Sequence, residues 1–185
     1  MARSTLIKPN HMAIQQYYEA LKTYGEHHVK HEGALETAFG RLLADTAKAH
    51  GWTLIPKQKL RVGKQNIFPD GTLRDIFTRR GYWEAKDKDD DLDAEISKKI
   101  AKGYPTGNTI FEDTRQAVLY QGGKEHYRFD LTDKTKLAAL LNEFYAYTEP
   151  EIDNFHQAVD EFKSRVPELA RRLVAKLNDA HKNNK

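Results

Sequence analysis

The chain has 185 residues, 39% of them hydrophobic and 31% charged, which suits one domain with a core and a highly charged surface. Its formal net charge of +3 is compatible with a nucleic-acid partner but does not require one. Cysteine is absent, which excludes disulfides, zinc–thiolate sites and a cysteine nucleophile, and which fits a cytoplasmic protein. No run of 18 apolar residues is present, and residues 1–12 lack the apolar core of a signal peptide, so we expect no membrane association.

Two helices are predicted ahead of the first strand. Residues 13–31 carry apolar side chains at helical spacing, and residues 32–50 form a clearer amphipathic pattern that Gly51 ends. Glu36 lies in the body of this second helix. Its apolar stripe comprises Leu35, Phe39, Leu42, Leu43 and Ala47.

A basic stretch follows the first predicted strand, which runs from Trp52 to Ile55. Its cations alternate with Leu60 and Val62, so on a strand they would share one face. Such cations either protect an edge strand or contact phosphates, and the pattern leaves both interpretations open. The cations are Lys57, Lys59, Arg61 and Lys64.

The most informative stretch, residues 70–87, is predicted to be a β-hairpin that carries a metal site. Thr78 to Gly81 forms a four-residue turn, and Tyr82 to Lys86 forms the second strand. If Phe77 pairs with Tyr82, Asp75 lies opposite Glu84, and strand alternation places Lys86 on the same face as Glu84. The first strand is marked by Ile67, Phe68, Leu73, Ile76 and Phe77.

Two facing carboxylates repel each other, and a bound divalent cation would reverse that cost. Asp75 and Glu84, with the backbone carbonyl of Ala85, are suitable oxygen ligands for Mg²⁺, and Mn²⁺ is an expected substitute. Lys86 would orient the attacking water or neutralise charge that develops on a phosphate. The hairpin therefore predicts metal-dependent phosphodiester hydrolysis.

The remainder of the chain completes an α/β pattern. The acidic run from Asp87 to Glu95 is either a solvated helix start near Asp91 or Asp93 or, more weakly, a second metal-binding cluster. We expect strands at 108–111, 116–121 and 125–131, then a helix after Thr132-Asp133. The order predicts a mixed central β-sheet flanked by helices over residues 1–147, with residues 148–185 a helical extension or linker.

The hairpin residues also carry a family resemblance. Pro69-Asp70 followed by Glu84-Ala85-Lys86 resembles the PD-(D/E)xK nuclease superfamily, and PDGTLRD…GYWEAKD is similar to the Mrr-like nuclease domain at the N-terminus of Type ISP restriction–modification enzymes. The resemblance implies a restriction-endonuclease-like core, Mg²⁺-dependent cleavage of duplex DNA, and a catalytic Asp, Glu and Lys. The last two fall on Glu84 and Lys86, and Glu36 matches a glutamate that often joins the site from the first core helix.

Two residues compete for the role of the catalytic aspartate. Asp70 satisfies the literal Pro-Asp motif, but it is also an ordinary turn former in the sequence PDG. Asp75 satisfies the predicted hairpin geometry because it would lie opposite Glu84. We favour Asp75 on that ground.

The resemblance further implies that this chain is the nuclease part of a larger restriction–modification polypeptide. The sequence has no G-x-x-x-x-G-K-[ST], so we expect it not to be the ATPase, and it has no G-x-G-x-x-G stretch for an adenine-nucleotide-like cofactor. The expected partners are double-stranded DNA, the other domains of that polypeptide, and a second copy for double-strand cleavage. The alternatives are a non-catalytic DNA-binding module with the same fold and a protein-interaction domain whose hairpin charges form a salt bridge.

Overall fold

The computed structural model describes residues 6–27 and 32–183, and the chain divides between residues 147 and 148 into two units. The first unit contains four of the five helices and all eight strands of the described residues. The helices of this unit are α1 (Met12–Glu26), α2 (Glu32–Ala47, followed by a 3₁₀ turn at Lys48–His50), α3 (Leu92–Ala101) and α4 (Lys134–Ala146). The strands are β1 (Thr53–Pro56), β2 (Leu60–Val62), β3 (Gln65–Ile67), β4 (Gly71–Arg74), β5 (Arg79–Ala85), β6 (Asn108–Glu112), β7 (Gln116–Gln121) and β8 (Lys124–Asp130).

Six strands form one mixed sheet in the order β1-β4-β5-β6-β7-β8. Strands β5 and β6 run parallel because α3 crosses over between them, and the other neighbours are antiparallel. Strands β2 and β3 form a separate two-stranded hairpin, inserted in the chain between β1 and β4. The predicted fold class, a mixed sheet flanked by helices, is confirmed.

Helices cover both faces of the sheet, and strand alternation divides the core between them. Helices α1, α2 and α4 pack against one face, where Trp83 and Ile110 are buried. On the other face Leu92 and Ile96 of α3 pack against Phe111 and Val118. Neighbouring residues of one strand, such as Ile110 and Phe111, therefore serve opposite layers.

Gly81 allows β5 to approach α4 closely. A Cβ atom at this position would lie 2.5 Å from Cζ of the buried Phe144 and 3.0 Å from Nδ2 of Asn108. That amide cannot move freely, because it donates to the carbonyls of Arg80 (2.9 Å) and Phe144 (3.0 Å).

We therefore expect Gly81→Ala to lower the free energy of unfolding by about 1–3 kcal/mol through overpacking. Urea unfolding monitored by circular dichroism measures the change. Gly25→Ala is the matched control, since Gly25 lies in α1 with open space around its Cα, so alanine there is neutral or stabilising. Equal stability of the Gly81→Ala protein and the wild type would contradict this packing.

The hairpin β4/β5 has a different register from the one predicted. Gly71 pairs with Trp83 and Thr72 with Tyr82, whereas the prediction paired Phe77 with Tyr82. The turn is Asp75 to Thr78, so Ile76 and Phe77, read as strand residues, are 84% and 53% exposed at its tip. The predicted pairing of Asp75 with Glu84 is therefore wrong.

The second unit is described by a single helix, α5 (Pro150–Asn183), with Pro167 in its interior. Several of its large apolar side chains are exposed, at positions one to four residues apart along one stretch. They are Phe162, Val166, Leu169, Leu173 and Val174. Across the described part of the chain, no helix combines the length and the apolar character that crossing a membrane requires.

Candidate active site

Glu84 is a carboxylate buried in the layer between β5 and α3. Its side chain is 2% exposed, and its neighbours Trp83 and Ala85 are buried in the core on the opposite face of β5. Oε1 accepts a hydrogen bond from Nζ of Lys86 at 3.0 Å and another from Nζ of Lys99, which reaches it from α3. The structure thus brings the predicted pair Glu84 and Lys86 together and adds a second lysine.

The second oxygen of Glu84 is the unusual feature of this cluster. Oε2 is buried and has no hydrogen-bond partner among residues 6–27 and 32–183. A buried carboxylate oxygen without a partner is costly, and such an atom in a native protein calls for an explanation such as an ion or a water. This oxygen is therefore available to a cation or to a polar ligand.

Asp70 lies beside Glu84. It directly precedes β4, and continuing the β4/β5 register by one residue from Gly71 and Trp83 places Asp70 opposite Glu84. Its Oδ2 accepts from the backbone N–H of Ala85 at 2.9 Å, and its side chain is largely buried. Asp70 therefore occupies the position that the sequence analysis assigned to Asp75.

Lys57 links Glu36 to Asp70. Its Nζ lies 2.9 Å from Oε1 of Glu36 on α2 and also contacts Oδ1 of Asp70. Partial burial lowers the pKa of Lys57, but the hydrogen bonds to Asp70 and Glu36 outweigh burial and raise it above its ordinary value. A permanent positive charge thus lies between these two carboxylates, at the more exposed side of the cluster.

Asp75 does not belong to this cluster. Its Oδ1 accepts from the backbone N–H groups of Phe77 (2.8 Å) and Thr78 (2.7 Å), and its Oδ2 accepts from Nε of Arg80 at 2.8 Å. Burial alone would raise the pKa of Asp75, but these hydrogen bonds and the charge of Arg80 lower it. The side chain of Asp75 therefore closes the turn and sets where β4 ends.

The acidic run after β5 mainly serves as a helix start. Asp91 is the N-cap of α3, and its Oδ1 accepts from the N–H groups of Asp93 (3.0 Å) and Ala94 (3.2 Å). Asp93 in turn contacts Arg128 of β8 at 2.6 Å. These contacts match a solvated helix start, the interpretation that the sequence favours over a second metal-binding cluster.

Sequence reasoning missed two cations of the site, Lys57 and Lys99. Lys99 also lies 4.6 Å above the ring of Tyr104 and donates to its hydroxyl at 3.2 Å. Burial is the largest single effect and lowers the pKa of Lys99, but the hydrogen bonds and charges of Glu84 and Tyr104 together outweigh it and raise the pKa above its ordinary value. Neither lysine carries a local motif, and each reaches its partner across 13 or more residues of chain, so only the tertiary fold reveals the contact.

Glu112, at the end of β6, is a second buried carboxyl close to the site. It is 1% exposed and accepts from Nε1 of Trp83 (3.2 Å) and the N–H of Thr114 (2.7 Å). Burial raises its pKa to about 8, although the two hydrogen bonds favour the charged form.

A carboxyl with a raised folded-state pKa binds its proton more tightly in the folded protein than in the unfolded chain. It therefore stabilises the fold fully below its unfolded pKa, near 4.5, and this contribution is lost as the pH rises through about 8. We expect wild-type stability to fall by about 2–4 kcal/mol over this window because of Glu112.

The variant Glu112→Gln isolates this contribution, because its side chain cannot ionise. The variant should be about 1 kcal/mol less stable than wild type at pH 5, where its amide N–H₂ group faces a donor, and more stable at pH 9. Urea unfolding at several pH values measures the difference between the two proteins. A difference that does not change between pH 5 and 9 would contradict the assignment.

The donor set fits a hard divalent cation that keeps part of its water shell. Within residues 6–27 and 32–183, no three His, Cys, Asp or Glu side chains already converge closely enough to hold a metal. The available ligands are Glu84, whose Oε2 is free of hydrogen bonds, and Asp70 beside it. Mg²⁺ commonly binds proteins through one or two carboxylates plus waters and substrate oxygens, so a pair of this kind suits it.

A solved structure is similar to most of this chain. DrdV, solved by cryo-electron microscopy in a complex with DNA, has a segment that is 41% identical to this chain, with a TM-score of 0.74. The match covers 86% of this chain and 16% of the DrdV chain, so this chain spans a minor part of that protein. With the mixed sheet and its flanking helices, this likeness shows a restriction-endonuclease-like fold.

A second solved structure has a weaker likeness to this chain. A proposed nuclease of DUF820 from Anabaena variabilis ATCC 29413 is 12% identical, with a TM-score of 0.43, over 62% of this chain and 81% of that one. A likeness at this level carries no argument. No family model matches the chain, and no curated protein matches it.

Proposed function

We propose that this chain is a Mg²⁺-dependent DNA endonuclease domain of the Mrr-like PD-(D/E)xK kind, the nuclease part of a restriction–modification enzyme. The observation that carries the proposal is the buried carboxylate of Glu84. Lys86 and Lys99 donate to one of its oxygens, while the other has no hydrogen-bond partner among the described residues. Glu84 itself lies opposite Asp70 in the strand register. A cluster built only for stability would satisfy that oxygen.

In this proposal Asp70 and Glu84 hold the metal, with the carbonyl of Ala85 as a further oxygen ligand. Bound Mg²⁺ supplies Lewis-acid polarisation of the scissile phosphate and lowers the pKa of a water ligand. Asp75, the aspartate favoured from the sequence, has no part in the chemistry and acts by shaping the turn.

In this proposal the lysines supply positive charge to the site. The Lys86 ammonium, 3.0 Å from Glu84, stabilises negative charge as the water oxygen bonds to phosphorus and the leaving oxygen departs. Lys99 donates to the same oxygen of Glu84 from α3. Glu36, held through Lys57, orients the water shell or accepts a proton from it.

The likeness to a segment of DrdV, whose structure contains DNA, supports duplex DNA as the substrate. Because this chain corresponds to 16% of the DrdV chain, we infer that sequence recognition, other domains and pairing with a second copy for double-strand cleavage belong to a larger assembly. Such an enzyme would act in the cytoplasm. The domain alone should then cut DNA with little sequence preference.

A supercoiled plasmid tests the proposal directly. We expect nicked or linear product with Mg²⁺ or Mn²⁺, no product with EDTA, and no product from a folded Glu84→Gln protein. Glu95→Gln is the matched control, because Glu95 lies on α3 but pairs with the surface lysine Lys98.

Two results would contradict the proposal. Undiminished cleavage by Glu84→Gln would show that this carboxylate is not part of the site. Salt-dependent DNA binding without any metal-dependent cleavage would favour the alternative, a non-catalytic DNA-binding module with a nuclease fold.

A further inference from the structure

The β2/β3 hairpin presents one face of cations that lack acidic partners. Three of its basic side chains and Asn66 line an open groove of about 460 Å³ together with Arg79, which begins β5. All four cations are solvent-exposed, and none forms an ion pair with any residue of the described ranges 6–27 and 32–183. The three hairpin cations are Lys59, Arg61 and Lys64.

The hairpin is held in place by its other face. Leu60 and Ile67 pair at its base and are 4% and 5% exposed. Val62 packs against Gly103, whose Cβ, if it were present, would lie 2.9 Å from the Val62 side chain. A two-stranded hairpin is marginal by itself, so these contacts orient its polar face towards the groove.

Two cations next to the groove have the acidic partners that the groove cations lack. Lys57, two residues before Lys59, pairs with Glu36 and Asp70, and Arg80, next to Arg79, pairs with Asp75. The cations that face the groove have no such acid. Their charges remain available to an anion from outside the chain.

A second observation points to the same kind of ligand. Arg74 of β4 lies directly opposite Arg79 of β5 in the strand register. Like charges directly opposite each other in a sheet are destabilising, and a bound anion would remove that cost. A surface that only protected a strand edge would not need this additional pair of opposed cations.

The hairpin that lines the groove is joined at both ends to residues of the candidate active site. The hairpin leaves the sheet after Lys57 and returns to it at Asp70, and the N–H of Lys57 donates to the carbonyl of Asp70 at 3.2 Å. Arg79 lies five residues from Glu84 on β5, or about 16 Å along a strand. One strand of B-DNA carries about five phosphates over that length.

We propose that the polar face of the β2/β3 hairpin and Arg79 form a phosphate track that seats one backbone strand of duplex DNA and leads it to Asp70 and Glu84. The proposal rests on the proposed function, because it takes DNA as the substrate of the adjacent site. It assigns Lys59, Arg61 and Lys64 to positioning rather than to chemistry. Contacts of this kind give affinity without sequence preference.

The test compares two triple variants that lose the same charge. The track variant is Lys59→Gln/Arg61→Gln/Lys64→Gln. The control, Lys8→Gln/Lys124→Gln/Lys136→Gln, removes three exposed cations that lie outside the groove, one of them on the opposite edge strand, β8. Binding of a labelled duplex is followed by fluorescence anisotropy over a salt series, in a Glu84→Gln background that prevents cleavage.

We expect the track variant to bind about 10- to 100-fold more weakly near 0.1 M salt, with the slope of log K against log[salt] reduced by about 2–3. The control should keep the parental slope. An equal loss in both variants, or no loss in the track variant, would overturn the proposal. If the triple variant does not fold, Arg61→Gln and Lys64→Gln singly should each reduce the slope by about 0.9.

Failure of the track and failure of the proposed function are distinguishable. If the wild-type protein cleaves plasmid DNA but the track variant keeps the full salt slope, the track is wrong and the nuclease assignment stands. If the slope of log K against log[salt] falls in the track variant but the wild-type protein never cleaves DNA, the track is supported and the chain is a non-catalytic DNA-binding module. If the parent does not bind DNA at all, both proposals fail.

Discussion

Replacing Asp70 by asparagine is expected to reduce metal-dependent DNA cleavage by about 10³-fold or more, equivalent to about 4 kcal/mol of transition-state stabilisation. The reason is that Asp70 supplies one of the two carboxylates of the proposed metal site. Asparagine has the same shape and can still accept the hydrogen bond from the N–H of Ala85 at 2.9 Å. The loss should therefore appear in the cleavage rate, with little change in folding.

Asp75→Asn serves as the control, and it should lower the stability of the fold while leaving the cleavage rate nearly unchanged. Asparagine keeps an acceptor for the N–H groups of Phe77 and Thr78 but loses the charge that pairs with Arg80. We expect a loss of about 0.5–1.5 kcal/mol in stability and a cleavage rate within a few-fold of wild type. Plasmid cleavage and urea unfolding of both variants give the comparison.

Either of two outcomes would overturn this assignment. If Asp75→Asn were as inactive as Asp70→Asn while remaining folded, Asp75 would have a chemical role that its place in the turn does not explain. If Asp70→Asn cleaved at the wild-type rate, the literal Pro-Asp motif would be only a turn, and the metal would need another ligand.

Removing the ammonium of Lys57 is expected to strengthen divalent-cation binding. In the structure this ammonium lies between the carboxylates of Glu36 and Asp70, so it competes with a metal for their charge. In Lys57→Met we expect the Kd for Mn²⁺ or Mg²⁺ to fall about fivefold, since a partly exposed ion pair contributes up to about 1 kcal/mol. Titration calorimetry measures this affinity without relying on catalysis.

Without metal, the Lys57→Met protein should be less stable than wild type. Lys57→Met leaves two carboxylates without their shared cation, so its melting temperature without metal should fall and its rise on adding Mn²⁺ should exceed that of wild type. Lys59→Met is the control, because Lys59 lies two residues away and faces the groove instead. Weaker metal binding by Lys57→Met than by wild type would show that Lys57 supports the metal site rather than competing for it.

Much of the fold follows from local patterns in the sequence. The stripe of Phe39, Leu42 and Leu43 places α2 on the sheet, because an amphipathic helix buries the residues that lie three and four positions apart. Strand alternation likewise places Glu84 and Lys86 on one face of the sheet, and their side chains do meet at 3.0 Å. Asp91 caps α3 at the place that its carboxylate and the following acids predict.

The register of the β4/β5 hairpin could not be obtained in the same way. Ile76 and Phe77 have the composition of strand residues, but the side chain of Asp75 binds the N–H groups of Phe77 and Thr78 and closes the turn before them. An irregularity between Leu73 and Arg74 shifts the pairing further. A displaced turn changes every cross-strand partner, and so the sequence placed Asp75, and not Asp70, opposite Glu84.

The mixed α/β class, the helices of the first unit and the Glu84–Lys86 pair therefore follow from helix and strand periods that each segment carries alone, whereas the separate β2/β3 hairpin was not predicted. Only the tertiary structure placed Asp70 opposite Glu84, brought Lys57 and Lys99 to their carboxylates and left one oxygen of Glu84 without a partner. The physical reason is distance along the chain. Ion pairs across 13 or more residues depend on where the strands and helices pack, and no local period encodes that position.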